Sequence, residues 1–152
     1  MTKEQLQEEL KQSMLARNTE KTSVLRMIIS AVNYYEINKG GAGYTASEED
    51  VMNVIQAQAK QRRDSIEQYT TGNRPELAEK EQQELDMISS YLPEQMGEDE
   101  IRTLVKEAIT QTGASNQQDM GKVMSALMPK TKGKADGGIV SKIVREELSS
   151  NS

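Results

Sequence analysis

The sequence predicts an all-α protein, with a four-helix N-terminal domain over residues 1–92 and a three-helix module over residues 93–152. Three observations carry that prediction. Apolar residues recur at i, i+3 and i+4 through most of the chain, and no window alternates with period two for long enough to make a strand. Glycine or proline marks most breaks between the periodic segments. Tyr91-Leu92-Pro93 separates longer segments from shorter ones, because proline disfavours helix at the residue before it.

Each element has its own signal. Thr2 to Gln5 reads as a capping box, followed at i+4 spacing by Leu6, Leu10 and Met14. Thr19 is placed to cap a second helix carrying Val24, Leu25, Ile28, Ile29, Val32 and Tyr35, which stops in the loop Lys39 to Gly43. Ser47 with Asp50 caps a third, whose stripe runs Val51, Val54, Ile55, Ala59, Ile66, Tyr69 and ends at Thr71-Gly72. Asn73 and Pro75 start a fourth, with Leu77, Leu85, Ile88 and Leu92 on one face. Beyond the boundary, a segment with Ile101, Leu104, Val105 and Ile109 ends at Gly113. A second, from about Asn116 to Met128, turns Met120, Val123, Leu127 and Met128 inward. The last, from about Asp136 to Leu148, turns Ile139, Val140, Ile143, Val144 and Leu148 inward.

Composition removes several classes of chemistry. The 152 residues include no Cys and no His, so a thiolate nucleophile, an imidazole base and Cys/His zinc sites are excluded. Any catalysis falls to Asp, Glu, Lys, Ser, Thr or Tyr. No window approaches the ~20 apolar residues of a membrane span. The first residues, charged from Lys3 onward, lack a secretory apolar region, so the expectation is a cytoplasmic protein with no membrane partner.

One segment opposes the charge of the rest. Met120 to Arg145 holds six basic residues against one acid, a local charge of +5 in a chain of net −5. Lys130, Lys132 and Lys134 alternate through a turn with Pro129 and Gly133, and at least two should face solvent. Gly137 and Gly138 follow in the first turn of the last helix, where bare N–H groups suit an anion, although Asp136 is well placed to cap them. Lys122, Lys130, Lys132, Lys134, Gly137 and Lys142 are therefore the candidate nucleic-acid-binding residues. A solvated lysine turn, with glycines serving helix packing, is the alternative. A P-loop is not: Lys134 is followed by Ala135, Met128 stands where a glycine belongs, and no strand precedes.

Elsewhere the signals are structural. Arg62 shares a stripe with Ile55, Ala59 and Ile66, so it needs carboxylate partners, and Glu81 and Glu84 are expected to supply them. Glu98-Asp99-Glu100 suits a helix N-terminus. No metal site and no cofactor is expected.

The chain resembles the YqeY family over nearly its full length. The resemblance is carried by Val24-Leu25-Arg26-Met27, Gln61 to Glu67, Leu77-Ala78-Glu79-Lys80-Glu81 and Tyr91-Leu92-Pro93. Met120-Gly121-Lys122-Val123-Met124 and Lys132-Gly133-Lys134-Ala135-Asp136-Gly137 complete it. Those are small bacterial proteins that share a domain with the tail of the B subunit of the tRNA-dependent Asp/Glu amidotransferase. The resemblance implies an all-helical, two-part protein of bacterial type whose C-terminal piece meets tRNA or the tRNA aminoacylation machinery. It also brings a label of carbon–nitrogen ligase with glutamine as amide donor, for which this chain supplies no nucleophile, ATP site or ammonia channel. The expected function is a non-catalytic tRNA-binding or accessory factor. A component of a glutamine-dependent amidotransferase and a helical protein-interaction scaffold are the alternatives.

Overall fold

A computed structural model describes residues 1–151, with side chains through residue 150. All regular structure among the described residues is helical: α1 (Lys3–Leu15), α2 (Thr19–Gly40), α3 (Glu48–Thr71), α4 (Pro75–Ser89), α5 (Glu98–Thr112), α6 (Met120–Thr131) and α7 (Gly137–Asn151). Short 3-10 turns occupy Gly41–Gly43 and Gln117–Asp119. The chain divides into two compact units, Met1–Leu92 and the residues from Pro93 onward.

Local capping chemistry starts the helices. Thr2 and Gln5 form a reciprocal capping box at α1, and Ser47 with Asp50 does the same at α3. The cap of α2 is Asn18, whose carboxamide accepts from the Lys21 N–H at 3.1 Å, with Thr19 already helical. α4 begins with Pro75 in its first turn and no side-chain cap. α6 differs most from expectation. It starts at Met120 after the 3-10 turn and runs through Pro129 to Thr131. The carbonyl that loses its Pro129 partner belongs to the exposed Ser125, where water can reach it.

In the first unit, the core is built from Leu6, Leu25, Ile28, Val32, Val51, Ile55, Ala59 and Ile88, drawn from all four helices. Arg62 lies at its edge. Its Nε stands 3.0 Å from Glu84 and 3.4 Å from Glu81, and its Nη2 meets the Met27 sulfur. The stripe that half-buries this arginine therefore also brings its carboxylates. Leu77 and Met14 fall on the predicted apolar faces but are 37% and 50% exposed, because these positions lie near helix ends.

A polar network in the same unit had no local signal. Buried Asp50 accepts from the Tyr44 hydroxyl at 2.5 Å, the Tyr35 hydroxyl at 2.9 Å and the Ser47 N–H at 3.0 Å, with Lys39 Nζ 3.6 Å away. The Tyr44 hydroxyl and the Ser47 N–H hold its carboxyl well below the usual carboxylate range. Buried Glu36 accepts from Lys3 at 2.6 Å and from the Ala46 N–H at 2.8 Å, which likewise lowers its pKa. Together they tie the α2–α3 connection to the helices on either side. Gly40 is required there, since a Cβ would stand 2.7 Å from that of Tyr44.

In the second unit, α5 packs on both α6 and α7 around Ile101, Val105, Val123, Leu127, Ile143, Val144 and Leu148. Met128 and Ile139, expected inward, are 62% and 38% exposed. Both flank the connection between α6 and α7, Met128 in the last turn of α6 and Ile139 in the first turn of α7. Gly113 ends α5 in the left-handed conformation at φ 68°.

Candidate nucleic-acid interface

The α6–α7 connection begins where Lys132 leaves helical geometry after Thr131. Thr131 is buried and its hydroxyl donates back to the Leu127 carbonyl at 3.1 Å. Its own carbonyl accepts from the N–H groups of Lys134 (2.9 Å) and Ala135 (3.0 Å), closing a tight turn. Gly133 is buried inside that turn at φ 78°, a conformation a side chain disfavours.

Two residues that sequence reasoning missed fasten the turn from outside. Gln95 Nε2 donates to the Gly133 carbonyl at 3.0 Å and to the Pro93 carbonyl at 2.7 Å, and the Met96 N–H donates to the Lys134 carbonyl at 2.8 Å. These partners lie 38 residues apart in sequence, so no local pattern reports them. The backbone of the lysine turn is thus held on both sides, and the side chains project from a fixed frame.

Lys130, Lys132 and Lys134 are all exposed. Lys142 is exposed in α7, and Lys122, in α6, is 70% exposed with Asp119 3.8 Å away. Asp119 is itself held below its usual pKa, first by the Ser115 N–H at 2.9 Å. Asp136, the one acid of the segment, caps α7 by accepting from the Gly138 N–H at 3.0 Å. That occupies the helix N-terminus near Gly137, so Gly137 contributes an exposed backbone position and the cations carry the electrostatics. Gly121 is exposed and has open space around it, so it serves no close helix contact.

A second charged cluster lies on α5 and α7. Arg102 donates to Glu147 at 2.7 Å, Glu146 at 2.9 Å and Glu98 at 3.0 Å, and these carboxylates raise its pKa, Glu147 first. The cluster sets one cation among three carboxylates and clamps the start of α5 to the end of α7. Among the described residues no group of Asp and Glu has metal-binding geometry. No helix is long and apolar enough to cross a membrane, again among the described residues.

Comparison with known proteins decides the family. A family model described as Yqey-like protein matches residues 3–148. The chain belongs to the YqeY-like family. Over 145 residues this YqeY-like chain is 32% identical to a Pyrenophora tritici-repentis protein named Altered inheritance of mitochondria protein 41, mitochondrial. That alignment covers 93% of this chain and 77% of the relative. A Vanderwaltozyma polyspora protein of the same name is 36% identical over 87 residues, 57% of this chain and 46% of its own length. An uncharacterized Schizosaccharomyces pombe protein is 32% identical over 89 residues, 59% of this chain and 70% of its own. The chain therefore spans about half the length of some relatives and most of others.

These relatives correct two expectations. They are fungal, and the first two carry "mitochondrial" in their names, which overturns both the bacterial type and the cytoplasmic location. The physical reason is that an apolar N-terminal segment reports on secretion alone. Its absence says nothing of an organelle.

Proposed function

We propose that the C-terminal unit binds the phosphate backbone of a folded RNA of the tRNA class, and that the chain acts as a non-catalytic tRNA-binding or accessory factor. The observation that carries this reading is the fastened lysine turn. Lys130, Lys132 and Lys134 stand exposed on a backbone fixed by Gln95 and Met96, while Asp136 is engaged with the α7 N-terminus. A backbone already fixed leaves only the lysine side chains to be ordered on meeting an anion. Each phosphate neutralised releases counterions, which makes binding strongly salt-dependent. Residues 93–152 contain no Phe or Trp and no Tyr, so base stacking is unavailable and recognition rests on shape and backbone.

Fluorescence anisotropy with labelled tRNA at low salt tests it. Replacing Lys130, Lys132 and Lys134 together by Ala should weaken binding at least tenfold while leaving the unfolding temperature unchanged. Equal affinity in a folded triple variant would refute the reading.

A further inference from the structure

The α1–α2 turn holds a second cationic feature on a different unit. A groove of about 550 Å³ opens there, lined by Met14, Arg17, Thr19, Thr22, Ser23 and Arg26. That volume falls within the range of small-molecule sites, about 300–1,000 Å³. Among the described residues no acid lines it, although the unit around it carries fifteen acidic residues against eleven basic ones, and Glu20 and Glu84 line an adjoining pocket that shares Thr19 and Ser23. Neither Arg17 nor Arg26 has a carboxylate within ion-pair distance among the described residues; Arg26 Nη2 meets the Met14 sulfur at 3.9 Å.

The hydroxyls of the groove divide by proton. Ser13 donates to the Leu10 carbonyl at 2.8 Å, so in its 2.8 Å pairing with Thr22 it accepts, and the Thr22 proton is used. Thr19 and Ser23 have no such partner among the described residues, and with Arg26 they fall at i, i+4 and i+7 on one face of α2. Two hydroxyl donors and a guanidinium therefore share one wall. Arg17 supplies the second guanidinium from a left-handed backbone at φ 57°, a conformation glycine would hold without strain. Its main chain is fixed there by the bond to the Met14 carbonyl at 3.1 Å and by Asn18 N–H to the Ser13 carbonyl at 2.9 Å. Beside these donors, Met14 lines the groove and is 50% exposed, giving the site an apolar rim.

Guanidinium forks match phosphate oxygens two at a time, and hydroxyls complete the shell. The rim suits an apolar substituent. We infer that this groove binds a phosphate monoester bearing an apolar group, through Arg17 and Arg26 with Thr19 and Ser23 as supporting donors. The same headgroup chemistry occurs free in solution and on a lipid surface.

Calorimetric titration of the full chain with phenyl phosphate should give saturable binding, several-fold tighter than inorganic phosphate. Arg17→Gly keeps the left-handed backbone and Arg26→Gln keeps the helix, so the double variant should fold normally and lose at least tenfold in affinity. Cosedimentation with phosphatidylcholine vesicles, with and without phosphatidate, separates the sources. Arginine-dependent binding only to phosphatidate vesicles assigns a lipid headgroup, and phenyl phosphate binding without vesicle capture assigns a soluble ester. Absence of saturable binding in both arms, or equal binding by wild type and the double variant, overturns the inference.

Discussion

The two units handle charge in opposite ways. The N-terminal unit buries it: Glu36 and Asp50 are each less than a tenth exposed, Glu36 satisfied by Lys3 and the Ala46 N–H, and Asp50 by two tyrosine hydroxyls and the Ser47 N–H with Lys39 nearby. Among the described residues of the C-terminal unit the buried polar one is Thr131, which is neutral, and the lysines of the α6–α7 turn are exposed. A buried carboxylate with a complete set of donors fixes a connection between helices. An exposed lysine on a rigid turn presents its charge to solvent instead. The contrast separates charge that organises the fold from charge that is displayed.

The largest expected effects test the cores beneath both arrangements. Leu25 and Leu127 are fully buried, one in each unit. Leu25→Ala and Leu127→Ala should each cost about 3 kcal/mol by urea unfolding followed by circular dichroism. A loss below 1 kcal/mol for either would mean that its core relaxes around the hole.

The next effect sharpens the contrast through pH. Asp50 and Glu36 have folded pKa values below their unfolded ones, near about 4. Between the two values the unfolded chain binds more protons, so their contribution is present above the unfolded pKa and lost as pH falls through the folded one. Amide hydrogen exchange should show the α2–α3 connection losing protection as pH drops below about 4, and Asp50→Asn should flatten that dependence. An unchanged pH response in the variant would remove Asp50 from the account.

Smaller effects follow. Ser47→Ala removes the hydroxyl that accepts from the Asp50 N–H, and should cost about 1 kcal/mol of stability. Smallest of all, Lys122→Ala should weaken tRNA binding no more than about twofold, because Asp119 already offsets part of that charge. Lys134→Ala should lose several-fold in the same anisotropy assay.

What the sequence revealed and what it hid follow one physical division. Reciprocal caps such as Thr2 with Gln5 and Ser47 with Asp50 span three residues, so their chemistry is written locally. Arg62 with Glu81 and Glu84 was legible because a cation on an apolar stripe must find acids on the neighbouring helix. Asp50 was legible as a cap, but its bond to Tyr35 depends on how α2 packs on α3, which periodicity does not give. The clamp of Arg102 on Glu146 and Glu147, and the fastening of the lysine turn by Gln95, join residues 38 to 45 apart. The lysines themselves stood out as a charge anomaly; the rigidity of the turn that presents them did not. Met128 and Ile139 were misjudged because periodicity reads a helix face and not where the neighbouring helix ends.

The central claim is that the lysine turn of the C-terminal unit is the surface that meets RNA. Lysine acylation followed by mass spectrometry, with and without tRNA, tests it residue by residue in the intact chain. The account predicts protection of Lys130, Lys132, Lys134 and Lys142, with Lys11 and Lys80 of the N-terminal unit labelled equally in both conditions. Protection concentrated on the N-terminal lysines, or no protection at saturating tRNA, would contradict it.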